Sequence, residues 1–264
     1  MSWGNYEYIE AKLDDGILTL ALNRPDHLNA TNRAMHGELS RVFTEASHDE
    51  AVEVIVLTGN GRAFSAGGDL SFLKHCIDNP ADFDAVAYEG KQIVYSILDC
   101  EKPIIGKING HAMGLGATLA LLCDITFVAD HARIADPHVK VGLVAGDGGA
   151  LIWPLLIGYA RAKEFLMTGK AVTAPQAAQM GLINYSVPAA ELDARVDEFA
   201  KELLNGATQA IRATKMAINI GLKQLAHASM EMSTGLERLS NRSAEHRGAI
   251  DAMLRKETPV FRKS

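Results

Sequence analysis

Cysteine is scarce in this sequence, and the few present do not form a framework. The 264 residues contain three: Cys76, Cys100 and Cys123. An odd count without metal-ligand spacing argues against a disulfide scaffold and a zinc site, and for a reduced, cytoplasmic protein. Cys123 falls in an apolar run and reads as packing. Positive charge is also in deficit. With 26 Lys and Arg against 32 Asp and Glu, the net charge is -6. That balance disfavours nucleic acid and anionic membranes as partners. The longest apolar stretch, Ala112 to Ala129, is interrupted by Gly114, Gly116 and Asp124, so no membrane span is expected. Met1-Ser2-Trp3-Gly4-Asn5-Tyr6-Glu7 has neither a basic nor an apolar leader segment, and no secretory signal is expected. No Ser/Gly/Pro-rich linker and no low-complexity segment divides the chain, which favours a compact core. Neither glycine-rich stretch carries the Lys-Ser or Lys-Thr pair of a phosphate loop. Neither gives Gly-x-Gly-x-x-Gly with an acidic residue at the right distance. Nucleotide hydrolysis and hydride transfer are therefore disfavoured.

What is present is strand and helix in alternation. Residues 6–22 read as a hairpin turning at Asp14-Asp15-Gly16, and Asn23-Arg24-Pro25-Asp26 ends it. Thr31 or Asn32 caps a helix over about 33–47, with Met35, Leu39, Val42 and Phe43 on one face. Val54-Ile55-Val56-Leu57-Thr58 is a short continuous apolar run, as in a strand covered on both faces. A helix is expected from Leu70, capped by Asp69, and a long one over about 82–100. Asp124 to Ala129 and Ala132 to Ala135 read as strands. Asp147 is placed to cap a helix through Trp153 to Ile157. Helices at about 160–167 and 174–180 and a strand over Ile183 to Val187 follow. From Glu191 the chain is helical, over about 191–205, 207–225, 229–240 and 242–254. The expected division is a mixed core over residues 1–190 and a helical region over 191–264.

Two stretches stand out. Lys102 to Asp124 reads as a strand (Ile104, Ile105, Ile108), an Asn109-Gly110 turn, a glycine run (Gly114-Leu115-Gly116) and a buried helix. Arg62 to Leu70 repeats the theme after the strand at 54–58. Glycines at a strand-to-helix junction let a ligand approach the backbone. The first N–H groups of a helix lack partners within it. A tight packing turn is the structural alternative for each stretch alone. Together, two such junctions suit a carbonyl oxygen that becomes an oxyanion.

Arg62-Ala63-Phe64-Ser65-Ala66-Gly67-Gly68-Asp69-Leu70, with Lys102-Pro103 through Asn109-Gly110 to Gly114-Leu115-Gly116 and Cys123-Asp124, resembles the enoyl-CoA hydratase/isomerase (crotonase) family. Leu22-Asn23-Arg24-Pro25 with Leu28-Asn29-Ala30 resembles its N-terminal motif. Phe165 to Gly169, with Ala174, Ala177 and Gly181-Leu182-Ile183, resembles its later helical region. The resemblance implies an α/β fold, a spiral of ββα units with a C-terminal helical region, assembled as a homotrimer or dimer of trimers. It implies an acyl-CoA substrate, with coenzyme A as part of the substrate and no other cofactor or metal. It places an oxyanion hole on the backbone N–H groups of Gly68 and Leu115. CoA is expected along the backbone of Arg62, Ala63, Phe64 and Ala66, with Arg24 and the basic tail (Arg255 to Lys263) as candidate phosphate partners. A plain solvated charge is the alternative for Arg24.

The sequence departs from the hydratase branch at two positions. Thr118 and His138 stand where that branch carries glutamates. Threonine is no general base near neutral pH. His138 titrates there and is the expected proton-transfer residue, with Asp147 orienting it or sharing the work. A hydrogen-bonded loop histidine and a helix cap are the structural alternatives. His111 ranks below His138. Trp153 and Met113 are assigned to the pocket or the core, and Glu231, Glu237, Glu245 and His246 to solvated faces. Three activities stay open: enolate chemistry on an acyl-CoA thioester, hydrolysis of a β-diketone C–C bond (the branch that shares the His-plus-Asp arrangement), and acyl-CoA binding without catalysis.

Overall fold

Continuous apolar runs become the central strands of a six-stranded sheet in the computed structural model, which describes Trp3 and residues 5–262. Met1, Ser2 and Gly4 of the leader reading and Lys263 of the basic tail lie outside the described residues. The hairpin β1 (Ile9–Asp14) and β2 (Ile17–Leu22) opens the sheet. Then β3 (Val54–Gly59), β4 (Ile104–Ile108), β6 (Ile125–Ala129) and β9 (Tyr185–Val187) are added in parallel. Every residue of β3 is buried, as parallel strands covered on both faces require. A second, three-stranded sheet joins β5 (Ala112–Met113), β7 (Arg133–Ala135) and β8 (Val172–Thr173).

These sheets are built by repetition. Each unit gives one strand to the large sheet, one to the small sheet, and then a helix. The second unit is β4, β5 and α4 (Leu115–Leu122); the third is β6, β7 and α5 (Gly149–Thr168). In the first unit the second strand shrinks to a single bridge, Ser65 pairing with Ala112, before α2 (Leu70–Asp78) and α3 (Pro80–Asp99). The strand-to-helix junctions of successive units therefore stack side by side. Helix α1 (Arg33–His48), with Asn32 accepting from the Met35 N–H as its cap, packs Met35, Leu39, Val42 and Phe43 inward.

The remaining helices differ from the sequence reading in detail. The segments expected at 229–240 and 207–225 form one helix, α8 (Thr208–Asn241), because nothing between them breaks a helix: no proline intervenes, and Gly221 and Gly235 lie within its turns. The segments flanking Gly158 lie head to tail as α5, kinked at that glycine. Asp147 is not the N-cap of α5; Gly148 is, and it makes no side-chain cap. After α6 (Ala174–Gln179) and β9, helix α7 (Leu192–Leu204) covers β3, β4 and β6, α8 lies along α3, and α9 (Ala244–Leu254) along α2. Among the described residues no helix is long and apolar enough to cross a membrane.

One buried cation latches α8 to the central stretch. Lys215 Nζ lies 2.7 Å from Asp124 Oδ2 and donates to the Lys102 carbonyl at 2.8 Å. Burial raises the Asp124 pKa, and the lysine opposes that shift. Lys215→Met strands the carboxylate and is expected to destabilise the fold by roughly 3 kcal/mol, read as a lower urea midpoint. An unchanged midpoint contradicts the latch.

Candidate active site

The N-terminal motif serves the first junction. Asn29, fully buried, donates through Nδ2 to the carbonyls of Asn60 (2.8 Å) and Ala63 (2.9 Å). Its Oδ1 accepts from the Arg24 N–H at 2.8 Å. The Arg24 guanidinium reaches Asp69 Oδ2 at 3.1 and 3.2 Å and also donates to the Ala30 carbonyl. Asp69 in turn caps α2 through the Ser71 N–H at 3.0 Å. Burial opposes its charge, but hydrogen bonds from Ser71 and Arg24 hold its carboxyl below the usual range. Arg24 is thus not a solvated surface charge: its guanidinium is held by Asp69.

The two glycine junctions meet. The Thr31 N–H donates to the Gly67 carbonyl and the Asp69 N–H to the Thr31 carbonyl, so the intervening Gly68 N–H points the other way. Leu115 is the first residue of α4, and its N–H has no partner inside the helix. Neither N–H makes a hydrogen bond among the described residues. Gly67 (φ 85°) and Gly114 (φ 53°) sit in the left-handed half of backbone space. A Cβ on Gly67 meets the Met113 carbonyl oxygen at 2.8 Å. Only glycine permits this closeness.

His138 stands beside that pair of junctions. Its Cε1 lies 3.5 Å from where a Gly114 Cβ would sit. It opens a 3-10 turn (His138–Val141) after Pro137. Nδ1 makes a short hydrogen bond to Asp136 Oδ1, and Nε2 lies 3.5 Å from Asp147 Oδ2. Asp136 thus holds one ring nitrogen and Asp147 stands on the other. The Thr118 hydroxyl donates to Asp147 Oδ1 at 3.4 Å, and its methyl group packs against Gly148. Burial works against the charged ring, yet the carboxylates of Asp136 and Asp147 push the His138 pKa up to about 10. Burial raises the Asp147 pKa, opposed by His138.

A cavity of about 180 Å³ collects these groups. Gly68, Leu115, His138, Asp147 and Ala66 line it, and so does Glu237 from α8. The Glu237 carboxyl makes no hydrogen bond among the described residues. Burial, then the negative charge of Asp147, push its pKa up to about 8. The solvated face expected for Glu237 is thus corrected: it is buried. Its neighbours Ala226, Met230, Thr234 and Asn241 share that face. Their spacing of three or four residues was the signal in the sequence that placed it inward.

Other expected residues lie elsewhere. Phe64 and Ala63 are buried in the core, and Arg62 is exposed outside the cavity. The His111 ring accepts from the Arg133 N–H at 3.1 Å, away from the cavity. His246 is buried, its Nδ1 bonded to the Val141 carbonyl at 2.6 Å, so it holds the turn that carries His138. Trp153 is fully buried in the core. Asp136, His138 and Asp147 offer possible metal-ligand atoms within 4.8 Å of one another. A hydrogen bond to Asp136 already occupies Nδ1 of the ring, and the two aspartates engage opposite ring nitrogens. That is a geometry for passing protons.

Comparison with known proteins bears on this geometry. Residues 12–264 match the model of the family described as enoyl-CoA hydratase/isomerase. A 1,2-epoxyphenylacetyl-CoA isomerase of Escherichia coli K12 is 32% identical over 257 residues, covering 97% of this chain and 98% of that protein. A crystal structure of an enoyl-CoA hydratase/isomerase from Mycobacterium paratuberculosis superposes with a TM-score of 0.89 at 38% identity, covering 92% of this chain and 97% of that one. A β-diketone hydrolase from Anabaena sp. PCC 7120, bound to (S)-3-oxocyclohexyl acetic acid, gives a TM-score of 0.84 at 31% identity, covering 90% and 95%.

Proposed function

Because the chain belongs to the enoyl-CoA hydratase/isomerase family, we propose that it moves protons on an acyl-CoA thioester through an enolate, without the glutamate pair of the hydratases. The observation that carries this reading is the meeting, in one cavity, of two unpartnered N–H groups and an acid–base cluster. The Gly68 and Leu115 N–H groups receive the thioester oxygen as charge develops on it. Asp147, backed by the His138 imidazolium, takes the proton from carbon. Glu237, protonated below about pH 8, returns one. Asp136 keeps the ring in place. Buried groups whose proton affinities are pushed apart in this way divide acid and base work.

Several further expectations belong to the same proposal. CoA runs past Ala66, the member of the 62–66 stretch that lines the cavity, and no metal or added cofactor is needed. The enzyme works in the cytoplasm, in keeping with three free, buried cysteines. It assembles as a trimer or dimer of trimers through exposed apolar residues such as Ile218, Met232, Leu236 and Leu239 of α8. Residues 191–264 supply that interface and carry Glu237 to the site.

A second reading is supported by a specific observation: the ring clasped by two carboxylates, together with the likeness to a β-diketone hydrolase. There His138 and Asp147 activate water against a ketone, and the departing enolate occupies the same hole. A substrate panel separates the readings. Enolate chemistry on thioesters changes the absorbance of crotonyl-CoA-type substrates. Hydrolysis cleaves a cyclic β-diketone without CoA. Calorimetric binding of acyl-CoA without turnover sinks both.

The Glu237 carboxyl also fixes a pH profile. A group whose pKa is raised to about 8 is the acid below that value and loses its proton above it. Turnover is expected to fall as pH rises through about 8, and Glu237→Gln is expected to be slow and to lack that limb. A variant that keeps both the limb and the rate removes Glu237 from the mechanism.

A further inference from the structure

The acyl-CoA reading leaves one wall of the cavity unexplained. Helices α1 to α3 build it, and its side chains are mostly apolar: Phe72, Phe83, Val86 and Ala87. Two polar residues interrupt them, Thr31 and His36. Both are buried, at 1% and 6% exposure.

The two are set differently from ordinary core polar groups. The Thr31 Oγ1 has no hydrogen-bond partner among the described residues. His36 is gripped at one nitrogen only: Nδ1 lies 2.9 Å from Glu89 Oε2. Arg33 holds Glu89 from outside through two contacts of 2.7 Å. Burial works against the Glu89 charge, but His36 and Arg33 hold its carboxyl below the usual range. An ionised carboxylate only accepts, so Nδ1 carries the proton. The ring packs at a tilt against Phe72, with centroids 6.2 Å apart. Nε2 makes no hydrogen bond among the described residues, although the ring lines the cavity. An ion pair that orients a histidine and leaves its second nitrogen to an otherwise greasy pocket is costly unless something bonds there.

Resting on the acyl-CoA reading, we infer that His36 is a recognition point for a hydroxyl group on the substrate's acyl chain. A hydroxyl matches the site because it both donates and accepts. It serves Nε2 whether that nitrogen accepts, as in the neutral ring, or donates. Phe72, Phe83 and Val86 then hold the hydrocarbon on either side of the oxygen. A purely aliphatic chain leaves Nε2 desolvated and unpaired, which is how a polar pocket rejects an analogue lacking the group.

Calorimetry with unreactive thioesters tests this without recourse to catalysis. A saturated acyl-CoA, its hydroxylated counterpart and its keto counterpart, all of one chain length, are compared across hydroxyl positions. The enzyme is expected to bind one hydroxylated thioester about tenfold or more tighter than the plain chain, and tighter than the ketone. His36→Leu is expected to bring that ratio close to one. Glu89→Gln, which keeps the ring but frees it, is expected to reduce the ratio partway, and it serves as the check should the leucine variant fold poorly. Equal binding of all three thioesters, a ketone bound best, or a preference that survives His36→Leu overturns the inference and leaves the acyl-CoA reading standing. Failure of every thioester to bind overturns both.

Discussion

His138→Ala is expected to lower turnover by about 10²- to 10⁴-fold, the range spanned by positioned acid–base groups, with a much smaller change in KM. The reason is geometric. The imidazole stands between Asp136 and Asp147, one ring nitrogen on each. Removing it leaves two buried carboxylates facing each other across a hole. Asp147 then loses the positive charge that opposes its protonation by burial, and its affinity for a proton rises further. The base thus loses its support and is harder to keep ionised. His138→Gln tests the account more finely, since it restores a hydrogen-bonding group without the charge. Turnover within a few fold of the parent in both variants removes the dyad from the chemistry. A loss of folding, visible as a collapsed melting transition, is not expected, because the His138 turn is also held by His246 and by its own backbone bonds.

Gly67→Ala carries the second large expected effect, a fall in kcat of roughly 10²- to 10³-fold, comparable to removing an oxyanion donor. The added methyl group meets the Met113 carbonyl oxygen at 2.8 Å, and the residue must hold a φ of 85°. The two junctions are driven apart, and the Gly68 and Leu115 N–H groups no longer converge. Gly90→Ala is the matched control. Gly90 also lines the cavity, but a Cβ there meets nothing within 4 Å, and alanine is the better helix former. The account predicts a large kcat loss at Gly67 and none of that size at Gly90. Equal, small effects at both positions contradict the oxyanion hole.

Much of the fold was legible because the sequence states it locally. The apolar runs at 54–58 and 104–108 can be satisfied only by strands covered on both sides, and β3 and β4 are such strands. The glycines at 67 and 114 mark the backbone positions where the junctions touch. His138 and Asp147 stood out because they are polar residues at departures from a recognisable pattern. What could not be read was partnership across distance. Asp136 is not among the residues the sequence singles out, yet it is the fully buried anchor of the ring. Arg24 gave no sign of its partner, the Asp69 cap 45 residues away. Glu237 was legible in principle: the buried stripe of α8 through Met230, Thr234 and Asn241 runs through it. A glutamate on a helix is ordinarily solvated, and composition outweighed that spacing.

The central claim is that Asp147 and His138 move a proton on carbon while the Gly68 and Leu115 N–H groups hold the enolate. The most direct measurement is deuterium uptake at the carbon next to the thioester carbonyl, followed by mass spectrometry of an acyl-CoA incubated with the enzyme in heavy water. The account predicts uptake with the parent enzyme and loss of that uptake, by about 10²-fold or more, in Asp147→Asn. Thioester that binds but takes up no deuterium, or an Asp147→Asn variant that exchanges at the parent rate, contradicts it.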